Sequence, residues 1–105
     1  MKRLVLFVLI LALAFGMGIM AFAQDELPES ILVGAVIPLT GRYAGGGAQV
    51  QRGYELGVAA VNDAGGVTVG DTQLPIELVI LDDESDPTKT VQRLETLFND
   101  NKVTA

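Results

Sequence analysis

The stretch Ile31-Leu32-Val33-Gly34-Ala35-Val36-Ile37-Pro38-Leu39-Thr40-Gly41-Arg42-Tyr43-Ala44-Gly45-Gly46-Gly47 decides the fold class. Its first seven residues are apolar or glycine and stop at a proline. The run is too short for a helix and does not alternate, so it predicts a strand covered on both faces, as in a parallel sheet. Pro38 to Gly47, with one proline and four glycines, is expected to be a loop. A helix is then expected over about 48–62, where Val50, Tyr54, Gly57, Val58 and Val61 fall on one stripe at helical spacing. Asn62-Asp63-Ala64-Gly65-Gly66 supplies the stop, with glycine for a left-handed terminal residue.

The same grammar repeats downstream. Val67 to Leu74 reads as a short β-excursion around a turn at Gly70-Asp71. Ile76 to Leu81 reads as a second strand covered on both faces, interrupted only by Glu77. Asp82 to Asp86 reads as an acidic loop. Asp86 followed by Pro87 is an N-cap with proline at the first helical position. The helix it opens carries Val91, Leu94, Leu97 and Phe98 on one face, and Lys102 to Ala105 reads as the start of a third strand. Strand, helix, strand, helix, strand implies an α/β domain with a parallel sheet and right-handed crossovers. The two apolar stripes, Val50/Tyr54/Val61 and Leu94/Leu97/Phe98, are expected to point inward from opposite faces.

Residues 1–23 read differently. Met1-Lys2-Arg3 is a short positive start, Leu4 to Phe15 an apolar run, and Ala21-Phe22-Ala23 a small-x-small exit before polar Gln24. This is the layout of a cleaved signal peptide. The rival is a retained membrane anchor, since Leu4 to Ala23 has bilayer-spanning length. No Cys follows, which leaves no lipid-attachment residue, so a periplasmic, exported product is expected. Residues 24–30 read as a flexible leader into the fold.

Of 105 residues, 7 are basic and 13 acidic, for a net charge of −6. Two of the basic residues lie in the signal-like segment. No basic footprint for nucleic acid remains. There is no Cys and no His. That excludes disulfides, thiolate chemistry, and the commonest general base and zinc ligand. No cofactor is expected.

Three features can carry chemistry. The first is the loop Thr40 to Gly47, from a strand into a helix, where backbone amides favour anionic groups. Neither G-x-G-x-x-G nor a Gly-Lys-Ser/Thr phosphate loop is present. A general carboxylate cradle and a plain connector both remain open. Thr40, Gly41, Tyr43, Gly45 and Gly46 are the candidate ligand-binding residues. The second is Asp82-Asp83-Glu84-Ser85-Asp86. Pro87 stands where a calcium loop needs glycine, and the alternative is that Asp86 caps the helix while nearby acids favour its positive end. The third is Tyr43, either a ligand wall or a packing residue.

A resemblance adds to these readings. The first strand with Pro38-Leu39-Thr40-Gly41 is followed by Arg52-Gly53-Tyr54-Glu55-Leu56-Gly57 and Val61-Asn62-Asp63-Ala64-Gly65-Gly66-Val67. Leu74-Pro75-Ile76-Glu77-Leu78 and Asp82-Asp83-Glu84-Ser85-Asp86-Pro87 come next. Together these resemble the opening of the type I periplasmic binding proteins, in particular the leucine/isoleucine/valine-binding subfamily. The resemblance covers about Ile31 to Ala105. It implies the N-terminal part of a two-lobed α/β receptor, with sheet order 2-1-3 and the chain ending inside the third strand. It also implies an amino acid or amide ligand, an ABC permease of the inner membrane as partner, no enzymatic activity and a monomeric full-length protein. In this family the loop after the first strand reaches the cleft. Gly46 stands where some members place an aromatic, and Ser85 where some carry Cys. The family's main ligand-holding Ser and Thr residues fall beyond Ala105. A sensor ectodomain of the same fold and an exported α/β enzyme are the other classes considered. The enzyme would need a nucleophile–base or metal constellation that these residues do not supply.

Overall fold

A computed structural model describes residues 26–105; the expected signal peptide lies outside them. The element order is β1 (Ile31–Ile37), α1 (Ala44–Asp63), β2 (Val67–Val69), β3 (Thr72–Leu74), β4 (Ile76–Asp82) and α2 (Pro87–Asn99). β1 and β4 pair in parallel, from Ile31 opposite Ile76 to Ile37 opposite Asp82. β2 and β3 form an antiparallel hairpin with Val67 opposite Leu74. It turns at Gly70, whose φ is +61°.

The pleat separates the two faces of the parallel pair. Val33, Ala35, Ile76 and Leu78 face α1, where they line a cavity with Tyr54, Val58 and Val61. Gly34 faces α2. A Cβ there would lie 2.8 Å from Leu97 Cδ1 and 3.0 Å from Val103 Cγ1. The absent side chain is the seat of Leu97, which is 1% exposed. The two helices therefore cover opposite faces, as right-handed crossovers require.

On the other side of β1 from β4 runs the end of the chain. Thr104 N donates to Leu32 O at 2.7 Å, and Gly34 N donates to Ala105 O at 2.7 Å. The spatial order is β4, β1, then residues 104–105, which matches the order 2-1-3. These residues form backbone bonds along β1 without making a regular strand of their own.

α1 starts four residues earlier than the glycines suggest. Gly45, Gly46 and Gly47 form its first turn, and Gly47 N donates to Tyr43 O at 3.0 Å. Low propensity is overridden by packing at Gly47, where a Cβ would sit 1.8 Å from Pro38 O. The loop is thus only residues 38–43. At the far end Gly66 N reaches back to Val61 O at 2.9 Å, closing the helix with positive-φ glycines. β4 runs through Asp82, one residue past the expected Leu81.

The expected inward stripes are only partly inward. Leu97 is buried, but Leu94 is 41% and Phe98 59% exposed. Val50, Tyr54 and Val61 are also exposed, and β1 is half-buried except at Ile37. The cause is width. Strands lie about 4.8 Å apart, whereas a helix with side chains is about 10 Å across. Each helix overhangs a pair of strands and leaves its flanks in water.

Candidate functional site

The loops that leave the carboxyl ends of β1 and β4 lie side by side, and Asp82 joins them. Its Oδ1 accepts hydrogen bonds from Leu39 N at 2.9 Å, Thr40 N at 3.2 Å and Glu84 N at 2.7 Å. Its Oδ2 accepts from Thr40 Oγ1 at 2.7 Å. The Thr40 hydroxyl, helped by the backbone N–H groups of Glu84, Leu39 and Thr40, holds the Asp82 carboxyl below the usual carboxylate range; desolvation opposes them.

Ser85 makes the second link. Its hydroxyl donates to Thr40 O at 2.7 Å and accepts from Tyr43 N at 3.1 Å. Ser85 has φ +62° and its neighbour Glu84 φ +56°, in the left-handed region that non-glycine residues seldom occupy. Short-range bonds hold them there. Ser85 N donates to Asp83 Oδ1 at 2.9 Å, and Glu84 N is held by Asp82. Asp83 is 8% exposed and also accepts from Thr90 Oγ1 at 2.9 Å, which ties the loop to α2. Asp86 is the N-cap of α2, accepting from Thr88 N at 2.8 Å and Lys89 N at 3.4 Å, with Pro87 at the first position. The Lys89–Glu84 ion pair is exposed and adds little.

Gly41 fits between these loops. Its φ is +83°, and a Cβ would lie 2.7 Å from Glu84 O. Arg42 places its guanidinium 4.5 Å from the centre of the Tyr43 ring, a cation–π contact at an exposed site. Tyr43, Pro38, Asp83, Ser85, Pro87 and Thr90 line an open, shallow cavity of about 210 Å³. A larger cavity, about 420 Å³, lies between α1 and the sheet, but apolar side chains and glycines line it. It lacks the convergent polar groups that orient a polar ligand.

The structure thus gathers Thr40, Gly41 and Tyr43 into one bend. Gly45 and Gly46 are set apart in the first turn of α1, exposed, with no neighbouring atom within 4 Å of where a Cβ would stand. The acidic stretch does more than cap a helix. Asp82 and Ser85 hold the neighbouring loop, a role that needs a tertiary contact to be seen. The only hint in the sequence is a run of five polar residues, Asp82 to Asp86, directly after an apolar strand. Among the described residues, no group of three or more acids could hold a metal ion. No described helix is long and apolar enough to cross a membrane.

Residues 30–105 match the family model for periplasmic binding proteins. The chain belongs to the periplasmic binding protein family. Among relatives, the Leu/Ile/Val-binding protein homolog 1 of Brucella abortus strain 2308 is 43% identical over 70 residues, covering 67% of this chain and 18% of that protein. The same-named protein of Brucella suis biovar 1 gives the same values. A crystal structure assigned to a branched-chain amino acid ABC transporter of Silicibacter pomeroyi superposes with a TM-score of 0.64 at 29% identity. It covers 70% of this chain and 18% of that one. The chain therefore spans about a fifth of the length of these proteins. The α/β arrangement with a parallel sheet is the one the family resemblance implied.

Proposed function

We propose that this chain is the opening of the N-terminal lobe of an exported solute receptor, which delivers branched-chain amino acids or related amino acids and amides to an ABC permease in the inner membrane. The observation that carries the reading is the fastened bend Thr40 to Tyr43 at the carboxyl end of β1. In an open parallel sheet with order 2-1-3 the crevice lies beyond the strands' carboxyl ends, beside the first strand. The bend stands at that place. The relatives named for leucine, isoleucine and valine supply the ligand class.

In this reading Thr40, Gly41 and Tyr43 form one wall of the crevice, and Gly45 and Gly46 leave the helix start open to it. The Tyr43 ring supplies an apolar face, and the surrounding backbone supplies polar groups. The receptor works by binding and release, with no chemical step. Residues 1–23 serve as the signal peptide, 24–30 as the leader, and the mature protein is a periplasmic monomer.

Calorimetric titration of the intact protein with leucine, isoleucine, valine and a small amide tests the reading. Micromolar binding of one of them is the expected result, weakened about tenfold by Tyr43→Ala, which removes a wall-forming ring. No binding to any of the four would sink it. N-terminal sequencing of the periplasmic protein should begin at Gln24; a membrane-bound product that keeps Met1 would contradict the export reading.

A further inference from the structure

Thr40-Gly41-Arg42-Tyr43 is a four-residue bend whose end groups do not meet directly. In an ordinary turn the first carbonyl accepts from the fourth N–H. Here the Ser85 hydroxyl stands between them, donating to Thr40 O at 2.7 Å and accepting from Tyr43 N at 3.1 Å. A hydroxyl can do both at once, having one donor and two acceptor positions. Gly41 leaves room for it, since a Cβ there would come within 2.8 Å of Ser85 Oγ.

We propose that Ser85 is a positioning residue for the ligand loop: its hydroxyl, inserted into the bend from the neighbouring loop, holds the bend open and sets where Tyr43 stands at the crevice. The inference rests on the reading of that bend as a ligand wall. Three observations converge on it. Ser85 is kept at φ +62°, a conformation an L-residue holds only when its surroundings impose it. Asp83, nearly buried, imposes it by accepting from Ser85 N while anchored to Thr90. Tyr43 is the residue from which α1 departs, so the hydroxyl also fixes the start of that helix. Without the hydroxyl, Tyr43 N and Thr40 O lose the partner they share and open to water, and Tyr43 is no longer held at the cavity wall.

Ser85→Gly separates position from strain. Glycine accepts the positive φ readily, so the backbone is relieved while the hydroxyl is lost. Ser85→Ala removes the hydroxyl and keeps the strain. The two variants, made in the intact protein, are compared by hydrogen exchange at the Tyr43 amide and by titration with leucine. Exchange at Tyr43 should rise on the order of tenfold in both, with that at Ile76 unchanged. Leucine affinity should fall about threefold to tenfold in both, while the melting temperature of Ser85→Gly stays at or above that of the parent. Parental exchange at Tyr43 in Ser85→Gly would overturn the inserted hydroxyl. Raised exchange with unaltered leucine affinity would overturn its role in ligand placement. If the parent protein binds no leucine, the ligand reading is what fails, and the exchange result alone decides for or against the hydroxyl.

Discussion

The side chain of Asn62 stands in for a neighbouring strand at Ile76. Ile76 N donates to Asn62 Oδ1 at 2.8 Å, and Asn62 Nδ2 donates to Ile76 O at 2.9 Å. Ile76 opens β4, and its backbone groups point away from β1, which pairs through Ile31 N to Pro75 O instead. The carboxamide thus satisfies the outer edge of β4 where it begins and fastens the end of α1 to the sheet. An open edge of that kind invites pairing with other chains.

Asn62→Ala should therefore cost about 1–3 kcal/mol, from two lost hydrogen bonds and partly desolvated backbone groups. Asn62→Asp is the finer test. A carboxylate can accept from Ile76 N but cannot donate to Ile76 O, so its folded-state pKa is raised. The stabilising contact is then present below the unfolded carboxyl pKa, about 4, and lost as the pH rises through the raised folded value. Urea melts at pH 4 and pH 7 check this. An aspartate variant equally stable relative to its parent at both pH values would contradict it.

The three consecutive glycines should part company on substitution. Gly47→Ala drives a Cβ to 1.8 Å from Pro38 O, and relieving it means moving the loop, at about 2–3 kcal/mol or more. Gly45 and Gly46 are exposed and helical with open space around them. Alanine there should add about 0.5–1 kcal/mol of stability through helix propensity. Chemical denaturation of the three single variants reads the difference directly.

Asp82 should make stability depend on acid. Its carboxyl is held below the ordinary range by the Thr40 hydroxyl and the N–H groups around it. A depressed folded pKa means that the stabilising bonds are fully present above the unfolded value, about 3.9. They are lost as the pH falls through the folded value. Stability should thus drop on acidification below about pH 4, and Asp82→Asn should flatten that part of the profile. Thermal melts from mildly to strongly acidic buffer would show it; a parallel fall in both proteins would mean that other carboxylates carry the effect.

Residues 24–105 by themselves should bind leucine no better than millimolar. On the proposed reading they carry one wall of the crevice, and a ligand on it makes a few hydrogen bonds worth roughly 0.5–1.5 kcal/mol each. Association costs on the order of 4 kcal/mol or more. Micromolar binding by this segment as a soluble monomer would place the whole site on the Thr40–Tyr43 bend.

The strands, the hairpin and the Asp86 start of α2 are legible in the sequence because apolar runs, Gly70-Asp71 and Asp-Pro are local signals. The start of α1 is not. Its glycines argue for loop by propensity, and the clash at Gly47 that fixes the helix against Pro38 exists only once β1 has turned back. The exposure of Leu94 and Phe98 is hidden for a similar reason, since periodicity reports a helix's apolar side but not the width of what it covers. The bend itself is marked by Gly41 after Pro38, and Tyr43 with it. The two residues that hold it, Asp82 and Ser85, lie more than forty positions away, and no spacing rule connects loops that meet only through a parallel register.

That register also sets a timetable. Ile31 has no strand partner until Ile76 has been made, with all of α1 and the hairpin in between. At synthesis rates of about 5–20 residues per second, β1 waits a few seconds with both edges open. Non-local pairings of this kind close slowly even in a finished chain. Until residues 76–82 are made, β1 has no strand to pair with in its final register. In that interval the bend at Thr40 has only its local turn bond, Ala44 N to Gly41 O, and it gains its three bonds to Asp82 only when that residue arrives.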